Sequence, residues 1–245
     1  FSTGGTPSLS PGRAGQARRA GRGACPAWRH PPRGATGQDM DDQALLELAA
    51  TLAERAGHAI MAVRAAGFAV ERKRDFSPVT AADRIAEALI VDGLREAAPA
   101  IPVVAEEEVE AGAGAIPAGG RFWLVDPLDG TREFAAGHDS FAVLVGLVQA
   151  GRPVLGAVAL PATGEVFGGI AGRAAWKQDG AGRRLIAARR APAEGPVVMG
   201  SRHYADDPRI ADFERSRGAA KVVNIGSAEK FCRLAEGAAD LYPRF

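Results

Sequence analysis

The segment Trp123–Phe134 constrains the fold more than any other part of the chain. Three apolar residues lead into Asp126, a proline follows, and Asp129 stands directly before Gly130 and Thr131. Because proline lacks the N–H of a regular strand, the strand is expected to be interrupted here. Two carboxylates at the end of a buried strand suit Mg²⁺, and the N–H groups of the following turn suit a phosphate. The alternative is a polar loop in which the aspartates only cap turns.

Composition excludes several classes of protein. The chain has 245 residues, 47% of them hydrophobic, enough for a core in one large or two small domains. A net charge of +1 gives no general attraction to nucleic acid, and no apolar run reaches the length of a membrane-spanning helix. Cys25 and Cys232 suggest no disulfide framework. The cytoplasm is the expected location, with peripheral attachment to the inner face of the cell membrane as an alternative.

Residues 1–39 differ from the rest of the chain. They contain eight Gly, five Pro and six Arg and show no helical or strand periodicity. Such a segment cannot bury enough apolar area to offset its ordering entropy, so it is expected to be disordered. It is either an Arg-rich arm or transit peptide, or sequence upstream of the true start at Met40, which is the favoured interpretation.

Residues 40–245 form the second predicted region and show mixed helix and strand patterns. Helices are predicted from Asp42 to Gly67 and from Ala81 to Ala97, the second capped by Thr80. Residues 110–120 are expected to form a flexible loop. The later strands Phe141–Val148, Val154–Leu160 and Glu165–Ile170 are predicted to form an antiparallel meander, followed by a loop through Arg190. The final third is predicted to alternate between strands, at Val197–Met199 and Ala220–Ile225, and helices, at Asp206–Arg217 and Ser227–Ala235. This is an α/β (α+β layered) fold, with an α+β half over about 40–172 and an α/β half over about 173–245.

Five segments resemble the inositol monophosphatase superfamily. Asp126–Thr131 matches its D-P-[ILV]-D-G-[ST] signature, and Asp75–Asp83 and Val103–Glu108 match two upstream motifs. Ile225–Gly237 and Asp240–Phe245 are similar to the CysQ-type 3'(2'),5'-bisphosphate nucleotidases within it. The resemblance implies an αβαβα sandwich. Family members continue past Pro-Arg-Phe into a W-D-T-A-A-G segment with a further metal-binding aspartate. The chain is therefore expected to be a fragment with its C-terminal part incomplete and with weakened Mg²⁺ binding.

The resemblance also implies a ligand set for two or three Mg²⁺ ions. Glu106 and Asp126 would share one ion, Asp126 and Asp129 would hold the second, and the main-chain carbonyl of Leu128 is a further candidate ligand. Glu107 is expected in a supporting position or on a weakly held third ion. Its neighbour at position 108 is interpreted as part of a solvated face at a loop edge, and the histidines at 138 and 203 as surface residues, since Mg²⁺ prefers oxygen.

Asp83 has two explanations that can both hold. Thr80 and Asp83 have the spacing of a capping box, a purely structural role. By resemblance, Asp83 pairs with Thr131, and together they orient and deprotonate the water that attacks the phosphate directly. Gly130 and Thr131 are expected to open a helix whose N–H groups face that phosphate.

The substrate is predicted less directly. Ser227 and Lys230 could bind a nucleotide's second phosphate or ribose, or could belong to an ordinary capped helix with a surface lysine. The resemblance favours a lithium-sensitive hydrolase of sulfur metabolism that converts 3'-phosphoadenosine 5'-phosphate to AMP and phosphate. The alternatives are an inositol- or histidinol-phosphate phosphatase and a catalytically silent module. Nucleic acid is not expected as a partner, and the oligomeric state is left open.

Overall fold

The structure is a computed structural model that describes residues 40–72, 78–112, 117 and 120–245. The predictions for residues 1–39, for Asp75 and for most of the 110–120 loop lie outside the described residues. The described part belongs to one compact unit, Gly34–Phe245. Its helices are α1 Asp42–Ala66, α2 Ala81–Ala97, α3 Glu106–Glu110, α4 Thr131–Ala135, α5 Pro208–Ser216 and α6 Glu229–Ala235. Its strands are β1 Val70–Arg72, β2 Pro78–Thr80, β3 Val103–Ala105, β4 Arg121–Asp129, β5 Ala142–Gln149, β6 Arg152–Leu160, β7 Glu165–Ile170, β8 Ala175–Asp179, β9 Gly182–Ile186, β10 Val197–Ser201 and β11 Lys221–Ile225.

The first two helices begin and end where the sequence rules place them. The Asp41 carboxylate accepts a hydrogen bond from Ala44 N at 2.8 Å, and Gly67, with a φ of 80°, follows the last residue of α1. Thr80 caps α2, as predicted. Helix α1 packs against β5, β6 and β7, and α2 packs against α1 and β4. The two helices therefore form one layer over one face of the sheet.

A seven-stranded sheet forms the second layer, in the order β3-β4-β5-β6-β7-β8-β9. Strand β3 runs parallel to β4, and the remaining neighbours are antiparallel, which confirms the predicted meander. The pairing of β4 with β5 shifts register between Asp126 and Asp129. Pro127 lies inside this irregular stretch, because a proline has no N–H group to donate to the hydrogen bonds between regular strands.

The sheet extends further along the chain than the sequence patterns indicate. Strands β8 and β9 form a hairpin within residues 175–186, where the sequence predicts a loop through Arg190, so that part of the prediction is wrong. The sheet therefore continues past residue 172, the predicted boundary between the α+β half and the α/β half. Strand β9 was hidden because its residues are exposed at the sheet edge and show no alternation between apolar and polar positions.

The last part of the chain has its own small layer. Strands β10 and β11 pair in parallel, and Val198 also bridges to Leu241. Helices α5 and α6 accompany them, as the alternation predicts. The segment after β3 differs from its prediction, since residues 106–110 form the short helix α3 and not a loop edge. Within the described ranges, no helix has both the length and the apolar character needed to cross a membrane.

A cluster of ion pairs connects α6 to the sheet. Arg233 on α6 binds Glu165 on β7 at 3.1 Å and Glu236 at 2.7 Å, and Lys177 on β8 also binds both carboxylates. Burial alone would raise the pKa of Glu165, but hydrogen bonds from Arg233, Lys177 and Thr163 outweigh burial and lower the pKa to about 2. The charged form of Glu165 therefore stabilises the folded chain.

This cluster predicts a loss of stability in acid. Because the pKa of Glu165 is lower in the folded chain than its ordinary value of 4.5, its contribution is present above pH 4.5 and is lost as the pH falls towards 2. The free energy of unfolding of the protein and of Glu165→Gln should be measured by urea titration at several pH values. The difference between them is expected to shrink over this range, and a constant difference would contradict the prediction.

Gly168 on β7 predicts a second stability effect. A methyl group at Gly168 would lie 2.3 Å from ring carbon Cζ2 of Trp176, whereas one at Gly169 would lie 3.4 Å from its nearest neighbour, Ala175 Cβ. Gly168→Ala is therefore expected to lower the free energy of unfolding by about 1–3 kcal/mol. Gly169→Ala is the matched control and should change it by roughly 0.5 kcal/mol or less. Equal urea midpoints for the two variants would show that the ring moves aside freely.

Candidate functional site

The site begins at the irregular end of β4, where Asp126 lies in a half-buried position. Its Oδ1 accepts a hydrogen bond from Leu128 N at 3.2 Å. Burial, then the negative charges of Glu106 and Asp129, raise the pKa of Asp126 to about 8. The three carboxyl groups therefore lie close enough to repel one another. A concentration of oxygen donors with excess negative charge has the chemistry that a hard divalent cation requires.

The geometry does not yet form a closed cage. Among the residues that the structure describes, no group of three or more His, Cys, Asp and Glu side chains is arranged to hold a metal ion. Asp129 Oδ2 accepts a hydrogen bond from Ala228 N at the start of α6. Its other carboxylate oxygen can still serve an ion, so the donor chemistry fits a cation.

Gly130 brings the turn after β4 against the turn before α6. Its φ is 91°, a left-handed conformation that favours glycine. A methyl group at Gly130 would lie 3.0 Å from Ser227 Cβ and 3.1 Å from Ser140 O. Gly130 and Ser227, predicted to share a substrate site, therefore lie next to each other. The expected short helix follows Gly130 and begins at Thr131.

The Thr131 hydroxyl lies between two acceptors. Its Oγ1 is 3.0 Å from Asp83 Oδ1 and 2.9 Å from Leu128 O. The other carboxylate oxygen of Asp83 accepts hydrogen bonds from Thr80 N and Thr80 Oγ1, both at 2.7 Å. The capping box is therefore confirmed, and the same buried carboxylate also reaches Thr131. The structure thus shows the capping contact and the Asp83–Thr131 contact, and the catalytic role of this pair stays a prediction.

The structure contradicts one of the two interpretations of Lys230. The side chain is buried, and Nζ contacts Ser227 O and, at 3.4 Å, Ile225 O. Burial lowers its pKa. The alternative of a surface lysine on an ordinary capped helix is wrong, since the N-cap residue, Ala228, makes no side-chain cap. Lys230 instead holds the carbonyls of the turn that contains Ser227, whose φ is 58°.

His138 and His203 are about half exposed, and both face Glu133 instead of the carboxylates of the β4 turn. Their Nε2 atoms lie 4.0 Å and 3.4 Å from its carboxylate, which Arg202 also binds. The Glu133 side chain is buried against Gly226, where a methyl group would lie 2.4 Å from Glu133 Cγ. Glu133 was not predicted as a functional residue, because nothing in its immediate sequence neighbours distinguishes a buried acid from a surface one.

Glu87 was also missed. It is buried on α2, and its carboxylate accepts hydrogen bonds from Glu107 N at 2.7 Å and Glu108 N at 3.0 Å. Burial is the main cause that raises its pKa. A signal was present in the sequence, since Glu87 stands four residues after Asp83 at a position where the helical period requires a buried side chain.

Sequence comparison identifies the group of proteins to which this arrangement belongs. The profile of the inositol monophosphatase family matches residues 41–245. The chain belongs to the inositol monophosphatase family. The match includes all the predicted site residues, from Asp83 to Lys230.

Individual relatives refine this assignment. The 3'(2'),5'-bisphosphate nucleotidase CysQ of Salmonella typhimurium is 42% identical over 203 residues, which cover 82% of this chain and 80% of that protein. The crystal structure of CysQ from Bacteroides thetaiotaomicron, described as a bacterial member of the family, superposes with a TM-score of 0.68 at 30% identity, covering 83% of this chain and 80% of the other. A histidinol-phosphatase of Chlorobaculum parvum is 39% identical over 123 residues, which cover 50% of this chain and 46% of that protein. The predicted family, fold and hydrolase class are confirmed.

Proposed function

We propose that this protein is a Mg²⁺-dependent phosphatase that removes the 3'-phosphate of 3'-phosphoadenosine 5'-phosphate, yielding AMP and phosphate. The observation that carries the chemistry is the Thr131 hydroxyl, held between Asp83 and the Leu128 carbonyl beside the acidic turn of β4. The substrate is proposed from the similarity to the CysQ nucleotidases. We assign the activity to residues 40–245 and place it in the cytoplasm, where it would remove the nucleotide left after sulfate activation.

The proposed metal ligands are Glu106, Asp126, Asp129 and the main-chain carbonyl of Leu128. The negative charges of Glu106 and Asp129, which act on the partly buried Asp126, support this assignment. Two ions are proposed, with Glu107 near a weaker third. Mg²⁺ bound there would lower the pKa of water and neutralise charge on the phosphoryl and leaving oxygens. Li⁺ sensitivity is proposed from family membership.

Proton transfer is proposed for Asp83 and Thr131. A threonine hydroxyl is a poor base alone, but it can accept a proton from the attacking water while it donates its own proton to Asp83 Oδ1 at 3.0 Å. The capping contacts from Thr80 hold the carboxylate in place for this transfer. Direct attack by water needs no covalent intermediate.

The turn before α6 is the proposed substrate side of the site. Gly130 and Thr131 would present backbone N–H groups to the reacting phosphate, and the adjacent Ser227 would meet the nucleotide. Lys230 supports this turn through the Ser227 carbonyl, and its charge lies within electrostatic reach of Asp129. Its proposed contribution is therefore to hold the turn and to add positive potential for the second phosphate.

The function is tested by measuring phosphate release from the protein in its full natural length. The substrates are 3'-phosphoadenosine 5'-phosphate, inositol 1-phosphate and histidinol phosphate, each with and without Mg²⁺. We expect Mg²⁺-dependent release with a strong preference for the nucleotide, and a loss of at least about 10³-fold in Asp129→Asn.

Other outcomes would change the assignment. Preference for histidinol phosphate would favour the second candidate, which the Chlorobaculum parvum relative supports over half of the chain. Preference for the inositol ester would retain the metal chemistry and reject the nucleotide. Release from none of the three would reject the proposed activity.

A further inference from the structure

Helix α2 contributes two buried carboxylates to the surroundings of the site. Asp83 is 2% exposed and Glu87 is 6% exposed, and they lie one helical turn apart on the face that packs against the sheet. Buried acids are costly unless hydrogen bonds satisfy them. The first of these acids contacts Thr131. The partners of the second lie at the start of α3, directly after Glu106.

Glu87 caps a helix to which it does not belong. Its Oε2 accepts from Glu107 N at 2.7 Å and its Oε1 from Glu108 N at 3.0 Å. Helix α3 begins at Glu106, and its own N-cap residue, Ala105, provides no side-chain cap. The first N–H groups of a helix have no partner within it, so a carboxylate from another element can satisfy them. Both oxygens of Glu87 are used in this way.

The capped turn starts directly after a strand whose register is set by the sheet. Ala105 of β3 is paired in parallel with Val125 of β4. Glu106 directly follows this pair at the end of β3, and Asp126 directly follows it within β4, so both acids emerge at the same end of the two strands. The direction of the chain after Ala105 decides where the Glu106 carboxylate lies. The two N–H groups bound by Glu87 fix that direction.

We propose that Glu87 is a positioning residue for the metal ligand Glu106, and that helix α2 aligns both sides of the site at once. Asp83 holds Thr131, and Glu87 holds the turn that presents Glu106. The inference rests on the proposed function, because it requires Glu106 to bind the ion. Residues that orient a metal ligand without touching the metal typically change metal affinity by about 10–100-fold when they are replaced.

The test compares Glu87→Gln with Glu96→Gln, an exposed glutamate on the same helix. An amide at position 87 keeps the size of the side chain, but its NH₂ group faces one of the two N–H donors. The dissociation constant for Mg²⁺ alone is measured by calorimetry, and thermal unfolding is followed in metal-free buffer. We expect the constant to rise by about 10–100-fold in Glu87→Gln and to stay unchanged in the control.

A merely structural cap would give a different pattern. Glu87→Gln would then melt at a lower temperature without metal and still bind Mg²⁺ as tightly as the unsubstituted protein, and this result would overturn the inference. If Glu87→Gln fails to fold, Glu87→Asp keeps the charge, shortens the reach to the two N–H groups and should weaken Mg²⁺ binding in the same direction. Absence of Mg²⁺ binding by the unsubstituted protein would instead reject the proposed metal site itself.

Discussion

Asp126→Asn is expected to abolish phosphate release and, at the same time, to stabilise the metal-free protein at pH 8. Asp126 is partly buried beside the negative charges of Glu106 and Asp129, which together raise its pKa to about 8. The folded protein therefore holds a proton that the unfolded chain has lost, so its stability falls as the pH rises from about 4 to 8. Asparagine keeps an acceptor for Leu128 N and removes the repulsion.

Two measurements check this expectation. In metal-free buffer at pH 8, the melting temperature of the variant should be roughly 4 °C above that of the unsubstituted protein. In a domain of this size, such a shift corresponds to about 1–2 kcal/mol in the free energy of unfolding. The difference should narrow towards pH 5, where the carboxyl group of the unsubstituted protein is largely protonated. Phosphate release should fall by at least about 10³-fold, since several kcal/mol of charge stabilisation are lost.

Asp92→Asn is the matched control, because this aspartate is exposed on α2. It should leave both the melting temperature and the activity unchanged. A lower melting temperature for Asp126→Asn at pH 8 would mean that the carboxylate is held by favourable contacts, and would contradict the repulsion described above.

Arg233→Met should lower the free energy of unfolding by about 3–5 kcal/mol. Arg233 binds Glu165, Glu229 and Glu236 at 2.5–3.1 Å through its guanidinium, and its side chain is only 19% exposed. Without Arg233, Lys177 is left to balance Glu165 and Glu236 in the cluster. Removal of one partner from a buried ion pair costs about 3–5 kcal/mol, because the remaining charges stay buried and unbalanced.

Arg215→Met provides the comparison for this prediction. Arg215 pairs with Asp212 on α5, and both side chains are at least 70% exposed. Water screens such a pair, so its loss should cost about 0–1 kcal/mol. Urea unfolding of the two variants at pH 7 should therefore give clearly different midpoints. Similar midpoints would show that the cluster around Arg233 contributes no more than a surface pair.

The sequence predicts well those features that depend on neighbours along the chain. Thr80 and Gly67 mark helix boundaries because a cap requires only a local side chain or a permissive backbone. The acidic turn of β4 was found for the same reason, since Pro127 and Gly130 interrupt the strand and turn the chain within a few residues. The proposed ligand and proton-transfer roles remain predictions that the experiments above test.

Features that depend on distant contacts were not predictable in the same way. Lys230 has the sequence neighbourhood of a surface helix, and its burial depends on packing around α6 that includes the ring of Tyr242. Glu87 and Glu133 are acids whose partners lie 20 and 69 residues away. The hairpin β8–β9 lacks periodicity at its exposed edge. Each case requires knowledge of which elements meet.

The double engagement of Asp83 has a consequence for laboratory evolution of this protein. One of its oxygens closes the start of α2 and the other meets Thr131. Serine and asparagine often replace an acid at the start of a helix without loss of stability, but at position 83 either residue would lose one of these two contacts. Selection for heat resistance and selection for turnover should therefore retain the same amino acid here. Libraries randomised at this codon are expected to return aspartate under either pressure.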